Sequence, residues 1–271
     1  MLSIVTAIYN QRAMNEIYWE QIEENTAGPF ELIVVDNGST DGSAEFFESV
    51  GARVIRNDAN YSYPHCQNQG IASARYDWLA FLNNDVIVSP RWNLGLIESM
   101  RFNDLDVATA CGIEQVENAQ ATRKLKRRWK RIGCLMGLLG RNKAGLRWMH
   151  RWMYGDWKTF CRDRESRFRR QVKEGFVGNT VMIRRRALEK IGTWDESQQG
   201  ADFDLYLRTK TRERDVGDIR AAHIALDVFV HHYIRLTLKG KHPPFADRAN
   251  FVNLSDKWSE EDRRCLERLN Q

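Results

Sequence analysis

An unbroken apolar run, Trp78–Leu82, ends abruptly in Asn83-Asn84-Asp85. A run without polar alternation fits a strand buried on both faces, as the strands of a parallel sheet are. In open α/β sheets, ligands bind just beyond the carboxyl ends of such strands. Asp85 has amide neighbours and no basic residue within the run, so its carboxylate is placed to take a hard divalent cation. A polar loop closing a strand would read the same way, and the tripeptide alone leaves both readings open.

The surrounding sequence repeats the strand pattern. LSIVTAIY (2–9), ELIVVD (31–36), ARVIRN (52–57) and VATACGI (107–113) are predicted strands. Between them lie helical patterns: Met14, Ile17, Tyr18 and Ile22 on one face, then segments at roughly 43–50, from about Pro64 to Ala74, and from near Pro90. Strands alternating with helices imply right-handed βαβ units and a mostly parallel sheet. The second half reads differently. GFVGNTVMIRR (175–185) is a strand, ALEKIG (187–192) a short helix stopped by glycine, and a further helix starts near Asp202. IALDVFVHH (224–232) is a late strand, and the tail, with Phe251, Leu254, Trp258, Cys265 and Leu269, reads as two packed helices split at Ser259-x-x-Asp262.

With 271 residues, the chain is long enough for one large domain with a full core. It holds no apolar run long enough for a transmembrane helix, and its N-terminus lacks a basic signal-peptide region. Cys66, Cys111, Cys134, Cys161 and Cys265 are scattered without zinc spacing, which points to reduced thiols in a cytoplasm. The net charge of +5 conceals a strong asymmetry. Between Arg123 and Lys173 stand 18 Lys+Arg against 3 Asp+Glu, a balance of +15, which leaves 23 basic and 33 acidic residues elsewhere, a balance of −10.

Within that segment Arg127, Arg128, Lys130 and Arg131 surround Trp129, and an apolar patch at 134–140 follows, with Trp148, Trp152 and Trp157 beyond it. A solvated helical insertion or lid is one reading. The other is an amphipathic element facing an anionic membrane surface or a charged acceptor. Nucleic acid ranks below both: aromatics among basic residues can stack on bases, but no recognised motif accompanies them.

Three further features carry chemistry. Asp36 closes the second strand before Asn37-Gly38-Ser39-Thr40-Asp41-Gly42, where small residues tolerate a nucleotide close to the backbone; an ordinary Asx-type turn reads the same way. Asp202 and Asp204 begin a helix, and residues two apart cannot point the same way on it. One is expected toward a cleft, the other toward structure or Arg208. His231 and His232 end a strand whose alternation sends them to opposite faces, so one of them can reach a metal site.

Together these pieces resemble the family-2 nucleotide-sugar glycosyltransferases of the GT-A fold. The matching segments are 3–11, 34–43, 68–86, 175–196, 200–208 and 230–232, in the family's order and spacing. The resemblance implies a Rossmann-like α/β fold in one continuous domain. Residues 1–113 would be the nucleotide-sugar-binding half, 114–174 a basic helical insertion facing the acceptor or membrane, and 175–271 the acceptor and catalytic half with C-terminal helices. It implies donor contacts at Thr6, Tyr9, Asp36, Asn37, Ser39, Asn68, Asn83 and Asn84. It also implies Asp202 as catalytic base, Asp85 and His231 around Mg2+ or Mn2+, and surface contacts at Arg127, Arg128, Trp129, Lys130 and Arg131. Two departures stand out. The family's Asp-x-Asp is Asn-Asn-Asp here, a form associated with rhamnosyltransferase-like members, and its Glu-Asp pair is Ala201-Asp202. The expected activity is inverting, metal-dependent transfer of a hexosyl or deoxyhexosyl group from a nucleotide-sugar. The acceptor would be a cell-surface glycan, as in polysaccharide or lipopolysaccharide synthesis, or a lipid-linked carrier at the inner face of the membrane. The competing expectations are a nucleic-acid acceptor or a non-catalytic binding protein on the same fold.

Overall fold

The computed structural model describes residues 1–134, 142–198, 200–234 and 243–269, the last without the side chains of 265 and 267–269. Most of the apolar patch expected at 134–140 therefore lies outside the described residues, as do the side chains of Cys265 and Leu269.

The strands are β1 (Leu2–Ile8), β2 (Phe30–Asp36), β3 (Arg53–Arg56), β4 (Trp78–Leu82), β5 (Val86–Val88), β6 (Val107–Gly112), β7 (Val172–Glu174), β8 (Thr180–Arg184) and β9 (His223–His232). They form one nine-stranded sheet in the order β3-β2-β1-β4-β8-β6-β9-β5, with β7 also on β9. The run β3-β2-β1-β4 is parallel throughout, and β6 pairs parallel with β9. β8 enters antiparallel between β4 and β6, and β5 and β7 lie antiparallel on β9. The α/β class and the predominance of one strand direction agree with the sequence reading. β5 and β7 are too short to show a periodicity.

The helices are α1 (Arg12–Asn25), α2 (Ser43–Ser49), α3 (Tyr63–Ser73), α4 (Trp92–Phe102), α5 (Ala119–Gly133), α6 (Lys143–Tyr154), α7 (Trp157–Phe168), α8 (Arg185–Ile191), α9 (Ala201–Asp215), α10 (Leu254–Lys257) and α11 (Glu260–Leu269). Alternation along each central strand feeds two cores. Ile4, Val34 and Ala80 meet Tyr18, Ile22, Phe47 and Trp92 of α1, α2 and α4 on one face. Val5, Ile33 and Leu79 meet Ile71, Leu188 and Leu205 of α3, α8 and α9 on the other. Two-sided burial explains why these strands read as continuous apolar runs.

Among the described residues, the basic segment holds three helices on the first core's flank. Trp129, Ile132, Leu146, Met149 and Met153 pack on Met14, Ile17 and Tyr233. Helix α1 presents Glu16, Glu20 and Glu24 at helical spacing, and these pair with Lys143, Arg147 and Lys158. No helix among the described residues is long and apolar enough to cross a membrane.

Candidate active site

The carboxyl ends of β1, β2 and β4 border a cavity of about 620 Å³. Tyr9, Asn37, Asn83 and Asn84 line it from the sheet, and Asn60, Tyr61 and Tyr63 from the approach to α3. Its remaining wall is C-terminal: Phe245, Arg248 and Phe251 cover it. That segment is tied down where Asp247 accepts from the Ser62 backbone N–H (3.1 Å) and hydroxyl (2.5 Å), and where the Asn60 amide donates to the Pro243 carbonyl (2.8 Å). A second cavity, of about 430 Å³, holds Asp202, His232, Glu114, Lys126 and Asn179, with Phe176 and Phe203 as apolar wall. Tyr63 and Asn83 line both cavities, so the two adjoin.

Pairing of β5 with β9 decides which histidine meets Asp85. Val86 lies opposite His232 and Ile87 opposite His231, and the Tyr233 N–H donates to the Asp85 carbonyl (2.9 Å). This brings His232 Nε2 to 3.1 Å from Asp85 Oδ1, while His232 Nδ1 lies 2.5 Å from Glu114 Oε1. Burial opposes the charge on His232, but the two carboxylates outweigh it and hold the ring well above the usual histidine range. Burial likewise resists ionisation of Glu114, and the hydrogen bond and charge of His232 prevail, keeping that carboxyl below its ordinary value.

His231 points the other way, and its expected place beside Asp85 is corrected. Its ring is fully buried between Trp129, His150, Tyr154 and Tyr233, with Nδ1 3.0 Å from the Tyr154 hydroxyl. Burial, reinforced by the neighbouring His150 and His232, pushes it well below the usual histidine range. It is a neutral packing residue.

Asp202 is half-buried at the N-terminus of α9, yet its Oδ1 is sealed from solvent and has no hydrogen-bond partner. Burial among Tyr63, Phe176 and Phe203 raises the carboxyl to about 6, with the charge on His232 pulling the other way. Gly178 makes room for it: a Cβ there would stand 1.7 Å from Asp202 Oδ2. Asp204 is wholly buried and fully engaged, by Arg208 Nε (2.8 Å), Lys257 Nζ (2.6 Å) and Trp258 Nε1 (2.9 Å). The two acids divide as their spacing required.

Several expected donor contacts are engaged in hydrogen bonds of the fold itself. Thr6 is fully buried, its hydroxyl donating to the Leu82 carbonyl (2.8 Å) and bonded to the Tyr18 hydroxyl (2.5 Å), because its place in β1 turns it into the core. Asp36 is buried and accepts from the Ser39 N–H at 3.1 and 3.3 Å, an Asx turn. Ser39 accepts from the Asn10 N–H (2.7 Å). Asn68 joins α3 to the loop after α8 through both backbone groups of Trp194 (2.8 and 3.0 Å). None of these four lines either cavity.

Trp129 is also corrected: it is a core residue, 8% exposed, because it occupies the inner face of α5. Arg127, Arg128, Lys130 and Arg131 are exposed, and Arg128 donates to the Trp152 carbonyl (2.9 Å). Sequence reasoning missed Glu114, Lys126 and the C-terminal aromatics. Glu114 was within reach of the rule that singled out Asp85, since it follows the carboxyl end of β6.

The chain belongs to glycosyl transferase family 2, whose family model matches residues 3–192. It is 34% identical over 91 residues to an uncharacterized glycosyltransferase of Haemophilus influenzae, covering 33% of this chain and 31% of that one. Over 90 residues it is 33% identical to a PGL/p-HBAD biosynthesis glycosyltransferase of Mycobacterium bovis, covering 31% and 35%. These matches span about a third of each relative's length. A solved mannosyltransferase, PcManGT from Pyrobaculum calidifontis in complex with GDP-Man and Mn2+, aligns with a TM-score of 0.52 at 16% identity. That alignment covers 90% of this chain and 66% of that one, a likeness of fold. Asp202 and His232 lie beyond the residues that the family model matches.

Proposed function

We propose that this chain is an inverting glycosyltransferase that moves a sugar from a nucleotide-sugar donor to a hydroxyl of a glycan or lipid-linked acceptor. The observation that carries the reading is Asp202: a half-buried carboxyl with a raised pKa, one oxygen of it sealed and without a hydrogen-bond partner, in a cavity adjoining a larger one rimmed by aromatic and amide side chains. The larger cavity suits the nucleotide, with Tyr61, Phe245 and Phe251 offering aromatic faces to a base and Arg248 a cation to phosphate.

In this reading the acceptor hydroxyl enters beside Asp202. As its oxygen bonds to the anomeric carbon, Asp202 takes the proton. The bond from that carbon to the diphosphate breaks, and the nucleoside diphosphate leaves with the electron pair. Attack from the side opposite the leaving group inverts the anomeric centre. General-base help of this kind is worth roughly 10²–10⁴-fold. A carboxyl near 6 is a stronger base than an ordinary aspartate and is still ionised at neutral pH.

The donor set fits a divalent cation. Asp85 Oδ1 and His232 Nε2 are 3.1 Å apart, close to the separation of about 3 Å that neighbouring ligands have on an octahedral ion with bonds of roughly 2.0–2.1 Å. Among the described residues no group of three or more acidic, histidine or cysteine side chains could complete such a site, so phosphate oxygens and water would supply the rest, as is usual for Mg2+. Mg2+ or Mn2+ held there would offset charge on the departing diphosphate.

On the acceptor side, Lys126 of α5 lines the cavity of Asp202, and the cations on the outer face of the same helix have no carboxylate partner among the described residues. This supports an anionic or membrane-borne acceptor, with the protein peripheral at the cytoplasmic face of the bilayer. A thermal-shift screen of nucleotide-sugars, followed by donor hydrolysis with and without EDTA, tests the whole reading. Stabilisation by one nucleotide-sugar with hydrolysis is expected; stabilisation without any turnover would favour the non-catalytic binding protein.

A further inference from the structure

Glu114 belongs to none of the motifs that pointed to the site, yet it completes a chain of three side chains. The turn that carries it is closed by reciprocal backbone bonds between Gly112 and Gln115, at 3.1 and 3.2 Å. Gly112 has no room for a side chain: a Cβ would stand 2.9 Å from Glu114 Oε2 and 3.0 Å from the Val230 carbonyl. The glycine thus lets the carboxylate fold back over the end of β9, where Oε1 lies 2.5 Å from His232 Nδ1. The opposite ring nitrogen, Nε2, faces Asp85 Oδ1 at 3.1 Å. The imidazole is fixed from behind, and its free direction is toward Asp85.

We propose that Glu114 is a positioning residue of the cation site: it holds His232 with Nε2 turned to the ion and supplies the negative charge that Asn83-Asn84-Asp85 lacks. This rests on the reading of Asp85 and His232 as cation ligands. A metal-binding imidazole donates its second N–H to a carboxylate or carbonyl, which sets the tautomer and strengthens the donor nitrogen; losing that partner typically costs about 10–100-fold in metal affinity. Here the carboxylate arrives from β6, a strand away from the one that carries Asp85, and its second oxygen, Oε2, is buried beside the Asn179 amide. Charge missing from one strand end is restored from another, through a histidine.

The test is Mn2+ binding by isothermal titration in the presence of UDP or GDP, with wild type, Glu114→Ala, Glu114→Gln and Glu114→Asp, each first checked for folding by thermal melting. Glu114→Ala should weaken Mn2+ by at least tenfold, Glu114→Gln by less, and Glu114→Asp should recover most of the affinity. Mn2+ affinity within twofold of wild type in a folded Glu114→Ala or Glu114→Gln overturns the proposal while the transferase reading stands. A wild type that binds no Mn2+ with either nucleotide and transfers no sugar removes that reading, and this proposal with it.

Discussion

Helix α5 and the pair α6–α7 are both crowded with lysine and arginine, and they use them differently. On α6 and α7, Lys143, Arg147 and Lys158 meet the Glu16-Glu20-Glu24 stripe of α1 and Arg164 meets Glu117, while Arg151, Arg162 and Arg167 have no carboxylate partner among the described residues. On α5, Arg123, Lys124, Lys126, Arg127, Lys130 and Arg131 are exposed and have no carboxylate partner among the described residues. The start of α9 draws the same contrast within three residues: Asp204 is paired with cations, whereas Asp202 packs beside Tyr63, Phe176 and Phe203 and no partner reaches its Oδ1. A charge with a partner is accounted for by the fold. A charge kept without one, against the cost of burial or of repulsion between neighbours, is the better candidate for work on a ligand.

If that division is right, removing an unpartnered charge should damage function and spare stability, and removing a partnered one should do the reverse. Asp202→Asn should lower transfer by about 10²–10⁴-fold with donor affinity nearly unchanged; near-wild-type turnover by the folded variant would break the contrast at its strongest point. Wild-type transfer should fall roughly tenfold per pH unit below about 6, where the carboxyl becomes protonated. The stability sign runs opposite to that of a salt-bridged acid. The folded pKa is raised, so ionisation disfavours the fold progressively from the ordinary aspartate range up to about 6 and fully above it. Asp202→Asn should therefore melt above wild type at pH 8, and the gap should close toward pH 4.

Asp204→Ala should instead cost about 3–5 kcal/mol in chemical denaturation, since it leaves Arg208 without its buried counter-charge and Lys257 with Asp195 alone. A loss under 1 kcal/mol would mean that water replaces the carboxylate. Neutralising Arg127, Arg128, Lys130 and Arg131 together should weaken binding to anionic vesicles by about 1 kcal/mol per charge, with donor affinity and melting temperature held. The wild-type interaction should fade with salt, over a screening length of about 8 Å at physiological ionic strength. Equal vesicle binding by the variant would reduce α5 to a solvated face, and stronger competition by DNA would redirect it to nucleic acid. The smallest effect belongs to Glu20→Gln on the partnered side. Its bonds to Lys143 and Arg147 are partly exposed, and their loss should cost under about 1 kcal/mol.

The sheet was legible because burial on both faces writes itself as uninterrupted apolar runs, and the division between Asp202 and Asp204 followed from helical geometry alone. The choice between His231 and His232 did not follow, because alternation says that two neighbours face opposite ways without saying which way is inward. That is decided by β5, three residues long and invisible to any periodicity. For Thr6, Asp36 and Ser39 the sequence leaves two roles open for a related reason: a polar side chain at a strand end serves a turn or a core hydrogen bond as readily as a ligand. Trp129 looked like part of a basic surface because charge dominates its neighbours in sequence, whereas its position on the inner face of α5 is a matter of phase. Glu114 reaches His232 from a residue 118 positions away in the chain, a pairing that only the order of strands creates.

Gly178 offers experimenters something the charged residues cannot. Every substitution that neutralises an acid or a base also changes the field felt by all the others, so a lost activity is hard to assign to shape or to charge. A single methyl group at position 178, 1.7 Å from the Asp202 carboxylate, would act as a plug that leaves the inventory of charges untouched. Gly178→Ala should silence transfer by displacing one oxygen, while the donor cavity on the other side of Tyr63 and Asn83 stays intact. Such a protein would be a loaded but unfired enzyme, suited to holding a nucleotide-sugar long enough for its acceptor to be captured beside it.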